Sequence, residues 1–158
     1  MSEDLQILKG TREEQYQSLI PQIRTLIEGE PDQIANMANV CAALKTQFEW
    51  LWIGFYLVRN EELVLGPFQG PVACTRIGYG KGVCGTAWAR AKTVLVPDVE
   101  KFPGHIACSS LSRSEIVVPL LWEGRVFGVL DVDSDEPDSF NEIDKNYLEE
   151  IVGLLRAG

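Results

Sequence analysis

The chain has 158 residues, 46% hydrophobic and 23% charged, which is enough for one domain with a buried core and too short for two ordinary ones. Acidic residues outnumber basic ones 23 to 14, the net charge is −9, and no Lys/Arg cluster stands out, so nucleic acid and anionic membrane are poor partners. No apolar stretch is long enough to span a bilayer, and Met1-Ser2-Glu3-Asp4-Leu5 lacks the basic and apolar regions of a signal peptide, which makes the cytoplasm the default location.

Thr11-Arg12-Glu13-Glu14 has the form of a capping box. Behind it Tyr16, Leu19, Ile20, Ile23, Leu26 and Ile27 recur at helical spacing, and Pro21 within them should kink or divide the helix. Gly29 is a stop and Pro31 a first-turn residue of a second helix, with Ile34, Met37, Cys41, Leu44 and Phe48 on one face. From Trp50 to Val58 aromatic and branched residues crowd together as in a strand; a turn follows, then a second strand over 63–67. A loop region runs on through Gly85, followed by a short helix over 86–90 and a brief strand over 93–96. Segments 114–122 and 125–133 flank Glu123-Gly124 as a hairpin. Ser139-Phe140-Asn141-Glu142 reads as another capping box, opening a helix that presents Ile143, Tyr147, Ile151 and Leu154. Two helices, several mostly antiparallel strands and a closing helix predict an α+β domain with the terminal helices on one sheet face. The long segment from Pro67 to Arg113 holds three of the four cysteines, and long irregular segments in compact domains are usually functional.

Cys108 lies in Phe102-Pro103-Gly104-His105-Ile106-Ala107-Cys108-Ser109-Ser110, beside the single histidine. Cys74 and Cys84 are also set among glycines. In a reducing compartment stable bridges are rare, and transient catalytic or sensing ones are the usual exception. Against that stands the commonest fate of a cysteine, burial as an inert thiol; for Cys108 the local sequence leaves the two readings level. Cys84, in Gly82-Val83-Cys84-Gly85, stands at a helix start, where the dipole would favour thiolate. Cys41 falls on an apolar stripe and reads as a core thiol. Asp131 and Asp133 end an apolar strand two apart, hence on one face. In a pocket they would raise one another's pKa, so that one stays protonated. The plainer reading is a solvated strand end running into Ser134-Asp135-Glu136, and the residues alone favour it. Trp52 and Tyr56 also share parity, and aromatic residues on a strand are usually core.

At Gly66-Pro67-Phe68-Gln69-Gly70-Pro71-Val72-Ala73-Cys74, Gly82-Val83-Cys84-Gly85, Phe102–Cys108 and Ser114-Glu115-Ile116-Val117-Val118-Pro119 the sequence resembles the free methionine-(R)-sulfoxide reductases, which are single-GAF-domain enzymes. The match continues into Gly128–Ser134 and back through Trp52–Tyr56, covering nearly the whole chain. The resemblance implies one GAF domain over residues 1–158, with a mostly antiparallel six-stranded sheet, terminal helices on one face and substrate loops on the other. It implies reduction of free L-methionine-(R)-sulfoxide to methionine, thioredoxin as reductant and a homodimer; no metal and no cofactor are expected. In that chemistry a thiolate attacks the sulfoxide sulfur, the oxygen is protonated, and the resulting sulfenic acid condenses with a second thiol. The family motif puts the attacking thiol at Cys108. Cys74 and Cys84 are candidate resolving thiols, Cys74 the preferred first partner and Cys84 the alternative or relay. Glu115 and Asp133 are placed at the sulfoxide, Asp131 nearer the ammonium, and Trp52 and Tyr56 along the apolar wall. Ile106 and Ala107 belong to the 102–108 loop, whose amides are candidate donors to the substrate carboxylate, and His105 reads as structural or as a substrate neighbour and not as the general base. Ser109 stands where the family pattern leads one to expect an acidic residue.

Two rivals use the same residues. A non-catalytic GAF module that senses redox state or a ligand usually regulates a second domain, for which this chain has no room, and needs no loop thiols. A zinc site of Cys74, Cys84, His105 and Cys108 has suitable residue types, but only His105 and Cys108 are close in sequence.

Overall fold

Strand parity sorts the apolar residues of this chain into two layers. The computed structural model describes residues 4–157. Six strands, β1 (Trp52–Arg59), β2 (Glu62–Gln69), β3 (Arg76–Gly78), β4 (Val94–Val96), β5 (Ser114–Trp122) and β6 (Arg125–Ser134), form one sheet in the order β3-β2-β1-β6-β5-β4. Every neighbouring pair is antiparallel. On one face Ile53, Phe55, Ile116, Val118, Leu130 and Val132 pack with helices α1 (Arg12–Ile27), α2 (Gln33–Phe48) and α4 (Glu142–Val152). On the other, Trp52, Tyr56, Val117 and Val129 pack with the short helix α3 (Gly82–Arg90) and with Ile77 of β3. This is the expected α+β arrangement, with terminal helices on one face and the Gly-rich segment on the other.

Pro21 does not divide α1, which runs as one helix from its Thr11–Glu14 capping box to Ile27. A proline in a helix interior costs about 3 kcal/mol. Burying the flanking Leu19, Ile20 and Ile23 returns roughly 1.5–3 kcal/mol for each side chain, so packing wins. Helix α2 starts at Gln33, two residues later than Pro31 suggests: Asp32 is its cap, accepting from the amides of Ile34 (2.9 Å) and Ala35 (3.3 Å). Ile34 points to solvent, and the buried stripe is Met37, Val40, Cys41 and Leu44. The second capping box is built two residues beyond its expected place, from Asn141 and Asp144. Ser139 is engaged elsewhere, donating to Ser134 Oγ (2.7 Å) and receiving none of the helix amides. Leu154 lies past the end of α4.

Two elements depart from the loop reading of 68–85. Strand β3 pairs with β2 through Leu63 and Ile77; at three residues it is too short to display alternation. Helix α3 starts at Gly82 instead of residue 86, and Lys81 supplies no side-chain cap that would mark it. The turn before α3 needs its glycines. A Cβ on Gly85 would fall 2.5 Å from the carbonyl of Gly78, so only glycine lets the helix close on β3.

Candidate active site

Three adjacent strands set the site. In their registers Glu115 of β5 pairs with Asp133 of β6, and Asp133 pairs with Trp52 of β1. One step along, Val117 pairs with Asp131, and Asp131 with Gly54. Strand neighbours lie about 4.8 Å apart, so the ladder itself brings Glu115, Asp131 and Asp133 together on the face away from α1, α2 and α4.

Gly54 makes room for the wall of the site. A Cβ there would lie 2.4 Å from the Trp52 ring and 2.4 Å from Phe68 Cβ. Without it the indole lies flat, stacked on Phe68 (5.3 Å between centroids) and Tyr56 (5.9 Å). Trp52 Nε1 donates to the carbonyl of Pro71 (3.0 Å), and the Tyr56 hydroxyl to that of Cys74 (2.8 Å). The two aromatic residues thus line a wall and also hold the loop that carries Cys74.

Cys74 and Cys108 form a disulfide, with Cα atoms 5.4 Å apart, joining the β2–β3 loop to the loop before β5. Beneath it is a small cavity of about 50 Å³ whose lining includes Trp52, Tyr56, Cys84, Glu115, Asp131 and Asp133. Cys108, Ile106 and His105 form its outer side. His105 Nε2 is 3.7 Å from Glu115 Oε1. Ala107 is exposed and does not line the cavity, unlike its expected partner Ile106. The amides of His105 and Cys108 are engaged inside the loop, by Phe102 O and Ile106 O. Ser109 lines the cavity, and its hydroxyl accepts from the amide of Leu111 (3.2 Å).

Burial, and then the charges of Asp133 and Glu115, push the Asp131 carboxyl well above the usual carboxylate range. Asp133 is raised in the same way by burial and by Glu115, although the Ser112 hydroxyl donates to its Oδ1 (3.2 Å) and works the other way. Asp131 Oδ1 is buried without a hydrogen-bond partner among the described residues. Cys84 lies in the first turn of α3, but burial and the charges of Asp131, Glu115 and Asp133 push its thiol well up. The expected dipole-stabilised thiolate is therefore overturned, because one helix terminus is worth at most about 2 kcal/mol. Cys41 sits in the core beneath the other face, donating to Pro67 O (3.4 Å), and burial pushes it up to about 12. No motif in the sequence marks Ser112, a lone serine in a loop, as part of the site. A zinc site using both Cys74 and Cys108 does not form, since those thiols are bonded to each other. No helix among the described residues is long and apolar enough to cross a membrane.

Comparison with known proteins agrees with this architecture. The GAF domain family model matches residues 35–157. GAF domain-containing protein A of Dictyostelium discoideum is 67% identical, the alignment covering 98% of this chain and 99% of that protein. The free methionine-R-sulfoxide reductase of Escherichia coli is 44% identical over 89% of this chain and 86% of the enzyme. The X-ray structure of a free methionine-R-sulfoxide reductase from Neisseria meningitidis, in complex with its substrate, superposes with a TM-score of 0.95 at 52% identity, covering 97% of this chain and 93% of that one. The chain therefore belongs to the GAF-domain family and, within it, to the free methionine-R-sulfoxide reductases.

Proposed function

We propose that the chain reduces free L-methionine-(R)-sulfoxide to methionine, with Cys108 as nucleophile and Cys74 as resolving thiol. The observation that carries this reading is the Cys74–Cys108 disulfide closed over a cavity floored by buried carboxyls. Such a bridge is what the cycle leaves behind. The Cys108 thiolate attacks the sulfoxide sulfur, and the oxygen takes a proton from Asp133 or Glu115. Methionine departs, and Cys108 keeps the oxygen as a sulfenic acid. The Cys74 thiol then attacks the Cys108 sulfur, forming the disulfide and releasing water. An external dithiol, for which we propose thioredoxin, takes over the bridge and restores both thiols.

The remaining residues suit a free amino acid. Asp131 offers an unpartnered oxygen to an ammonium, which a methionine inside a polypeptide does not have. Trp52 and Tyr56 would hold the apolar part of the side chain, and the Ile106 amide the carboxylate. Cys84, buried and protonated, is a wall residue in this reading and not the first resolving thiol. The homodimer implied by the family resemblance is a further proposal, to be tested by sedimentation.

The test is methionine formation from resolved R and S forms of free methionine sulfoxide, with dithiothreitol as reductant. Product from the R form alone is expected. Folded, reduced protein that yields methionine from neither would overturn the reading and leave a ligand-binding GAF module.

A further inference from the structure

With Cys74 and Cys108 bonded to each other, one thiol still faces the cavity. Cys84 Sγ, a Glu115 oxygen and an Asp131 oxygen lie within 4.8 Å of one another, and all three residues are buried. Two of the three come from adjacent sheet strands and one from the first turn of α3, so none depends on a mobile tail. Asp131 is 7% exposed, and its Oδ1 meets no donor among the described residues. Asp133 adjoins the group, and the Ser112 hydroxyl answers its Oδ1. Two carboxyls and a thiol are thus withdrawn from water around one small space, with the half-buried Asp133 beside them.

Such a space favours a cation. The substrate ammonium is one candidate, bound by oxygen alone. A divalent ion that accepts sulfur can use the whole set. One thiolate and two carboxylate oxygens are a donor set for zinc, whose open sites keep three protein ligands and one free position. Magnesium and calcium demand six or more oxygens and gain nothing from sulfur.

We propose that Cys84, Glu115 and Asp131 form a three-ligand site for zinc or a similar thiophilic divalent cation, open towards the cavity, and that this ion and the substrate exclude one another. Binding involves no electron transfer. The Cys84 thiol gives its proton to solvent as the sulfur–metal bond forms, and the carboxylates bind ionised. The exclusion of substrate rests on the reductase reading; metal binding does not.

The test uses cobalt(II), which reports thiolate ligation by a charge-transfer band, added to the full chain with the Cys74–Cys108 bridge closed. Closing the bridge removes those two thiols as ligands. One cobalt per chain is expected, displaced by equimolar zinc. The band should vanish in Cys84→Ser, and the dissociation constant should rise about tenfold or more in Asp131→Asn. Each variant is first shown to keep the bridge and a cooperative thermal transition. Saturating methionine sulfoxide should empty the wild-type site. A wild-type chain without the thiolate band overturns the proposal, as does a band that survives Cys84→Ser or is undiminished in Asp131→Asn. Cobalt retained under saturating sulfoxide, in a protein that turns sulfoxide over, overturns the exclusion. Because cobalt binding is read without turnover, its failure leaves the reductase reading intact. Cobalt bound through Cys84 in a protein that forms no methionine removes the reductase reading alone.

Discussion

Asp131 and Asp133 hold their protons more tightly in the folded chain than in the unfolded one, through burial first and neighbouring carboxyls second. A carboxyl with a raised folded-state pKa weakens the fold as pH climbs from its unfolded value through its folded value. Both residues therefore cost stability at neutral pH. Asp131→Asn should stabilise the chain at about pH 8 by about 1 kcal/mol or more, a few degrees in Tm. The gain should fade as pH falls towards the ordinary value of 3.8. Calorimetry across pH decides this; a variant less stable at the alkaline end would show that Asp131 has a favourable partner. Chemistry should move the other way. Asp133→Asn should slow the reductive step by about 10²–10⁴, the usual worth of a positioned acid, with a smaller effect on KM. An unchanged single-turnover rate would move the acid role to Glu115. Cys108→Ser should form no methionine at all. Cys74→Ser should form one methionine per chain and then stall with thioredoxin; loss of that first turnover would exchange the two roles. Period-two spacing already showed Asp131 and Asp133 on one face. The burial of Asp131 and half-burial of Asp133 do not show in the sequence, because Ser134-Asp135-Glu136 give the segment a solvated look and part of the cover comes from α3, distant in sequence. Cys84 is legible as a helix-start residue, but its protonation follows from burial first and then from three carboxyls on two strands, none of which local sequence shows.

Among the elements, α1 and α4 are joined by one carboxylate. Asp144 is 1% exposed and its Oδ1 receives both Arg12 Nη1 (2.7 Å) and the Tyr16 hydroxyl (2.6 Å). Its Oδ2 receives the amide of Asn141 (3.0 Å), which fixes the start of α4. Asp144→Ala would leave a part-buried guanidinium and a buried hydroxyl without their partner. About 3–5 kcal/mol should be lost, the range for breaking such a pair. A thermal melt reads the loss. Methionine formation below the transition should survive, because α4 packs on the face opposite the cavity; parallel loss of activity in folded protein would contradict the two-layer account. The helix periodicities and the first capping box were plain in the sequence. The second box was misplaced because Ser139 and Asn141 are equally good caps, and only the Ser114–Ser134–Ser139 contacts decide between them.

For the whole molecule, the Cys74–Cys108 bridge closes a span of 34 residues that includes β3, α3 and β4. In the chain-entropy model a loop of that size stabilises by about 4 kcal/mol. The bridged chain should melt roughly 8–16 °C above its reduced form. Protease should cut the 70–113 segment faster after reduction. Equal melting temperatures would mean that the cover over the cavity is held by packing alone. The helix–strand–helix order and the two-sided sheet were legible, since both follow from periodicity. The closing of the two loops on each other follows only from the family resemblance, which makes Cys74 the preferred partner of Cys108, because no local pattern encodes a contact across the molecule.

The row Glu115–Asp133–Trp52 runs across the strands, so its spacing comes from amide hydrogen bonds common to every polypeptide. Mutational drift in core volumes does not reset that spacing. The thiols Cys74 and Cys108 ride on loops, which tolerate change far better. The two halves of the site are therefore unequally heritable. A descendant that lost both loop cysteines would forfeit turnover and keep a shaped, acidic receptacle for an amino acid. From catalyst to receptor, this scaffold is two codons away.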